Sequence, residues 1–214
     1  MKRRKLPILA FLLAAACSVE AEERRIAAMV PPDPAVSGFV VCHGSNCRVR
    51  TETGLSDEEW SKVVAIFDPP AETAGEERER ISRAIGLIER YVGPKTNTQS
   101  DAGRNRSDPD QATQLDCIDE SVNTTTYLRL IDAAGLLRRH GVGLPAHREA
   151  EFLNLHNTAV IVSQENGVAW AVDSWFAPNG APAVVVPLDT WRAGWQPGWP
   201  IPRVDDDIST IVFP

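Results

Sequence analysis

The chain has 214 residues, 43% hydrophobic and 24% charged, enough for one domain with a substantial core and too evenly mixed for disorder or a collagen repeat. Its 22 cations face 29 acids, a formal charge of −7, and an acidic surface repels phosphate backbones, so nucleic-acid binding is excluded as the expected role. No apolar run reaches the roughly 18 residues that a membrane span needs, and nothing repeats at a fixed period.

Four cations at Lys2 to Lys5 precede the apolar stretch Leu6 to Ala16, and three alanines then meet Cys17, which is the layout of a secretory leader. The run Leu13-Ala14-Ala15-Ala16-Cys17 resembles a bacterial lipobox, in which the thiol is acylated and becomes the new N-terminus. Lipid on Cys17 ties the chain to the periplasmic face of a membrane without a spanning helix. The alternative is ordinary cleavage after Ala16 or near Glu20-Ala21, which releases a free periplasmic protein. Loss of residues 1–16 removes four cations and leaves 18 against 29 acids, a net charge of −11. Residues 17–35, charged and Pro-rich, are expected as a flexible tether, and 36–214 as a single domain.

Phe39-Val40-Val41 and Arg48-Val49-Arg50 read as two short strands, with Cys42 and Cys47 facing each other across the loop between them. In an oxidising compartment these thiols pair, and closing so short a loop contributes about 2 kcal/mol by the chain-entropy model. A zinc site on Cys42, His43 and Cys47 is the competing reading, lacking a fourth ligand. Cys117 is then left as a lone exported thiol, either buried and inert or kept for its reactivity.

Ser56-Asp57-Glu58-Glu59 is a capping box opening a helix through Trp60, Val63, Val64 and Phe67, which Pro69-Pro70 stops. Thr73-Ala74-Gly75-Glu76 opens a second, with Ile81, Ile85, Ile88 and Val92 at helical spacing and Gly93-Pro94 as its end. Lys95 to Thr113 has no large apolar residue and reads as a surface loop that delivers the chain to Cys117. Asp116 caps a helix from Cys117 to about Ala134, with Gly135 as breaker. Strands follow at His156 to Ser163 and Val168 to Trp175, with Asn166-Gly167 marking a tight hairpin, then at Ala183 to Val186. Trp191, Trp195 and Trp199 are expected to pack against the core. The class is α+β.

A thiol is a nucleophile as thiolate, and a helix N-terminus, an imidazolium and hydrogen-bond donors favour that form. Cys117 occupies the first turn of its helix, where free N–H groups also stabilise an oxyanion, but Asp116 and Asp119 oppose ionisation and require a cationic partner. Of His43, His140, His147 and His156, only His156 begins a strand with an acid, Asp173, arriving on the next one. A two-residue turn at Asn166-Gly167 or a four-residue loop at 164–167 sets His156 and Asp173 on the same face, and a three-residue loop without a bulge sets them on opposite faces; the four-residue version puts His156 opposite Trp175, with Asp173 as its diagonal neighbour within side-chain reach. Taken singly, each residue has a plain reading: a small buried Cys, a satisfied His, a turn-capping Asp. The combination of helix-Cys, strand-His and strand-Asp is the more specific observation.

Leu115-Asp116-Cys117-Ile118-Asp119, His156-Asn157-Thr158-Ala159-Val160 and Ala171-Val172-Asp173-Ser174 resemble the three motifs of bacterial transglutaminase-like cysteine peptidases. The resemblance covers about 60 residues and implies a papain-like core with the nucleophile helix packed on an antiparallel sheet. It further implies Cys117 as nucleophile, His156 as general base and Asp173 as the acid that orients it. Gln111 and Gln114 precede the nucleophile as possible oxyanion donors. Calcium-dependent members carry a carboxylate directly after the nucleophile; Ile118 stands here, leaving only Asp116 and Asp119, so no cofactor is expected. Gln114 to Leu130 also resembles a set of uncharacterised exported proteobacterial proteins.

The expected function is therefore an envelope-located thiol acyl-transfer enzyme, a cysteine peptidase or amidase working through a thioester on Cys117 and acting on a protein or peptide. An amine in place of water makes the same site a transglutaminase. The rivals are a non-catalytic binding or structural lipoprotein of the same fold, and a peptidoglycan-cleaving cysteine hydrolase.

Overall fold

The computed structural model describes residues 8–106, 110–150 and 154–201. The basic start of the expected leader lies outside them. Helix α1, Ile8–Ala27, runs through Cys17 and is not followed by a free tether: Ile26 and Val30 are buried against Cys42, Cys47 and Val122. Glu23 accepts the backbone N–H of His147 at 3.1 Å and pairs with Arg192 at 2.8 Å. The polar composition that suggested a tether instead forms the outer face of a docked helix end. No helix among the described residues is long and apolar enough to cross a membrane.

Strands β1, Phe39–His43, and β2, Val49–Thr53, form an antiparallel pair that places Cys42 opposite Arg50. Helix α2, Asp57–Ala65, starts on the expected capping box of Ser56 and Glu59. Helix α3, Ala74–Thr96, starts at Thr73 but continues through Pro94 to Asn97, which closes it in the left-handed region at φ 59°. Pro94 has no N–H for the carbonyl four residues earlier and crowds that turn, and the helix ends within one turn of it. Helix α4, Cys117–Ala133, has Asp116 as N-cap, and Gly135 follows at φ 69°.

Strands β3, His140–Val142, β4, Ala146–Ala150, β5, Asn154–Ser163, β6, Ala169–Asp173, and β7, Val184–Pro187, make one antiparallel sheet in the order β3-β5-β6-β7, with β4 also paired to β5. Val162 pairs Ala169, so the β5–β6 loop is the four-residue version. Strands β3 and β4 are short and carry few large apolar residues, so no sequence periodicity marks them. The sheet is covered on both sides. On one, α3 and α4 contribute Ile81, Ile85, Ile88, Leu128 and Ile131 against Ala159, Ile161 and Val172. On the other, the short α5, Leu188–Arg192, and its neighbours bring Phe176, Trp191 and Trp195 against Val160, Ala171 and Val186.

The run Thr124-Thr125-Thr126 is poor helix material that this packing retains. Thr125 and Thr126 hydroxyls bond the carbonyls of Ser121 and Val122 at 2.7 and 2.9 Å, and Thr124 meets Ser174 at 2.9 Å. Beside them Ser174 donates to Glu120 at 2.6 Å, and Glu89 accepts from the Gly180 N–H at 2.9 Å. Burial pushes the Glu89 carboxyl from 4.5 up to about 8, and Glu120 moves in the same direction through burial and the nearby Glu89. A carboxyl raised in the folded state binds its proton more tightly there than when unfolded, so its stabilising contribution is complete below about pH 4.5 and is lost as pH rises through about 8. Thermal melts of wild type and Glu89→Gln across pH 5 to 8 are expected to diverge in favour of the glutamine variant as pH rises. A pH-independent difference contradicts the assignment.

Candidate active site

The start of α4 is built by two carboxylates. Asp116 Oδ1 accepts the N–H groups of Ile118 and Asp119 at 3.0 Å each, and Asp119 Oδ2 accepts the Asp116 N–H at 3.2 Å, completing a capping box. Both also hold the disulfide loop. Asp119 accepts from Ser45 at 2.9 Å and from Cys47 at 2.6 Å, while Asp116 accepts from Asn46 at 2.9 Å. Gly44, Ser45, Asn46 and Cys47 all have positive φ, between 53° and 73°, which turns successive N–H groups to one side as an anion-cradling nest. Asn123 adds a reciprocal pair with the backbone of Cys42, 2.8 Å each way. The Cys42–Cys47 bridge therefore shapes a loop that grips the N-terminus of α4.

This arrangement displaces the zinc reading: Cys42 and Cys47 have given their thiols to the disulfide, and His43 bonds Ala112 O at 2.6 Å and Thr51 Oγ1 at 2.8 Å. Asp116 and Asp119 direct carboxylate oxygens at backbone N–H donors of the disulfide loop.

The loop before α4 is less superficial than its composition implies. Asp101 is buried and accepts the Leu115 N–H at 2.7 Å and Asn105 Nδ2 at 2.7 Å. Gln114 belongs to this tie: its Oε1 accepts from Asn105 at 2.6 Å and its Nε2 donates to Ser100 O at 3.2 Å, so its amide is spent on the loop. Gln111 is exposed. Asn105 O takes the indole N–H of Trp175 at 2.7 Å, which links the loop to the aromatic wall around His156.

His156 and Asp173 meet as the hairpin register requires, with Nε2 to Oδ2 at 2.7 Å, both side chains buried. Trp191 donates its indole N–H to the same oxygen at 2.7 Å. The imidazole lies among Trp175, Phe176 and Trp191, at centroid distances of 4.5, 5.2 and 5.4 Å. A carboxylate only accepts, so in the neutral imidazole the hydrogen lies on Nε2 and the lone pair on Nδ1. That Nδ1 is buried and has no hydrogen-bond partner among the described residues.

Cys117 is the free thiol among the described cysteine side chains, half-buried in the first turn of α4. Its sulfur accepts from Asn157 Nδ2 at 3.5 Å, the residue next to His156 on β5, and Asn157 Oδ1 in turn meets His147 Nδ1 at 2.8 Å. The resting hydrogen bond of the sulfur thus goes to the amide and not to the imidazole. Burial, with the charge of Asp116 added, pushes the Cys117 thiol up to about 12, against the lowering effect of Asn157. A thiol held so high reacts only when a neighbouring base takes its proton during attack.

Three contributors to this site were not assigned from the sequence. Arg148 stands opposite His156 in the β4–β5 pairing, buried, with its guanidinium carbon 4.5 Å from the centre of the Trp191 ring. Nη1 donates to the carbonyls of Trp191 and Trp195. Asn157 lay inside the quoted His-Asn-Thr run, but an amide beside a histidine carries no distinctive signal. Trp191 packs as expected and also holds Asp173, while Trp199, expected in the core, is 58% exposed. Among protein-family models, curated proteins and solved structures, none matches this chain.

Proposed function

We propose that the chain is a thiol-dependent acyl-transfer enzyme, a cysteine peptidase or amidase with a papain- or transglutaminase-like core that acts on a protein or peptide of the cell envelope. The observation that carries this reading is the buried His156–Asp173 pair, whose second nitrogen is unpartnered and whose strand neighbour holds the sulfur of Cys117. Asp173 and Trp191 fix the ring, so the lone pair at Nδ1 stays available as a base. Asp116 takes the N–H groups of Ile118 and Asp119, so the backbone N–H of Cys117, with the helix dipole behind it, is the proposed support for an oxyanion. The basic-apolar leader and the disulfide support export, with lipid on Cys17 as the proposed anchor.

In the proposed cycle the Cys117 proton passes to His156 Nδ1 as the sulfur forms a bond to the substrate carbonyl carbon. Collapse of the tetrahedral adduct breaks the C–N bond, and His156 returns its proton to the leaving amine. Water then adds to the thioester, its proton moving to His156. Breakage of the C–S bond frees the acid product and restores the thiol.

p-Nitrophenyl acetate tests this without knowledge of the natural substrate. Wild type is expected to release nitrophenolate faster than buffer alone, with the excess lost in Cys117→Ala and depressed about 100-fold or more in His156→Ala. Equal rates for wild type and Cys117→Ala contradict the proposal.

A further inference from the structure

Six buried side-chain polar atoms of the described residues have no hydrogen-bond partner, and three of them belong to two residues that face each other: Nε and Nη2 of Arg148, and Nδ1 of His156. A buried donor without a partner forfeits its hydration for nothing, at about 1–3 kcal/mol and more when charged, so such atoms cluster where a ligand supplies the missing partner. Nδ1 of His156 is accounted for by the proton it takes from Cys117. Arg148 is not.

Its surroundings define what it can accept. Nη1 is fixed by the carbonyls of Trp191 and Trp195, and the guanidinium plane is supported by the Trp191 ring, which also touches His156 and donates to Asp173. That clamp leaves Nε and Nη2, the two parallel donors on one edge of the fork, free together. This edge matches the two oxygens of a carboxylate. The neighbouring carboxylate does not fill the role: Asp173 Oδ2 is taken by His156 and Trp191. The charges of Asp173 and of an ionised Cys117 both act on the guanidinium, which places it within electrostatic reach of the reacting sulfur.

We infer that Arg148 is a specificity determinant that binds a carboxylate of the acyl substrate close to the bond Cys117 attacks, so the preferred substrates are peptides bearing a free carboxylate next to the scissile acyl group. This rests on Cys117 being the nucleophile of the proposed function. Lysine cannot present the same two-donor edge, so it replaces the charge and not the geometry.

The test uses two alkylating agents that differ in this one feature. Iodoacetate and iodoacetamide both transfer a substituted methyl group to the Cys117 sulfur, with loss of iodide and of the thiol proton to buffer, and only iodoacetate carries a carboxylate. The ratio of their rate constants at Cys117 is expected to exceed that for the unfolded chain. It should fall about tenfold or more in Arg148→Gln, with Arg148→Lys recovering part of it. An unchanged ratio in a folded Arg148→Gln protein overturns the inference. A second arm needs no variant: N-acetyl-alanyl-alanine should slow alkylation of wild-type Cys117 by iodoacetamide and its C-terminal amide should not. Equal protection by both, or by neither, overturns the inference as well. The outcome is separable from that of the proposed function, because sensitivity of alkylation to His156→Ala reports the base and the acetate-to-amide ratio reports Arg148.

Discussion

Replacing His156 by alanine is expected to slow alkylation of Cys117 by iodoacetamide at pH 7 by about 100-fold or more, with the fold intact by circular dichroism. The expectation follows from where the sulfur sits. With its thiol pushed up to about 12 by burial and by Asp116, the thiolate is a rare form at pH 7. A reactive Cys117 therefore depends on proton removal during attack. The base proposed for that step is Nδ1 of His156, which is unpartnered among the described residues, and in the neutral ring the hydrogen lies on Nε2, facing Asp173. Asp173→Asn should slow the reaction too, since an amide can present either a donor or an acceptor to Nε2 and no longer enforces one tautomer. A rate that ignores both substitutions means that Cys117 behaves as an ordinary half-buried thiol and that the histidine pair is structural.

Trp191→Ala is expected to be the most damaging single change to stability, about 3–5 kcal/mol, or a fall in Tm of about 6–20 °C for a chain of this size. Trp191 is completely buried, touches His156 and Arg148 with its ring, and donates to Asp173 with its indole N–H. Truncation opens a cavity and leaves Asp173 with one donor fewer. Trp191→Phe should recover most of the Tm, because it restores ring packing but not the hydrogen bond. Trp199→Ala provides the contrast: at 58% exposed it should change stability by no more than about 0.5 kcal/mol. Differential scanning calorimetry on the three variants checks the ranking, and similar losses for Trp191 and Trp199 contradict this placement.

Those two tryptophans show why some of the structure was legible and some was not. Features set within a few residues were readable: the capping box of Ser56, the N-cap at Asp116, the glycine after α4 and the even-length β5–β6 loop that sets His156 and Asp173 on one face. Each depends on local hydrogen bonds or on the period-two geometry of a strand. Features set by distant partners were not. The run around Glu23 and Ile26 reads as tether until it is docked on Cys42 and Val122. Strand β4 has the composition of a loop, and Arg148 acquires its meaning only from the tryptophans some forty residues later in the chain. Asp116 was correctly seen as an opponent of a thiolate, but the hold of Asp116 and Asp119 on residues 45–47 spans 70 to 74 residues and follows from no local rule. The sulfur's amide partner Asn157 belongs to the same class.

The central claim is that Cys117 carries an acyl group during turnover with His156 as its base, and intact-mass spectrometry of acid-quenched protein exposed to p-nitrophenyl acetate tests it most directly. Wild type should hold one acetyl group, located on Cys117 by peptide mapping and released by hydroxylamine, with none on Cys117→Ala and far slower loading in His156→Ala. Acetylation of another residue alone, or loading of Cys117 at the same rate with and without His156, contradicts the account.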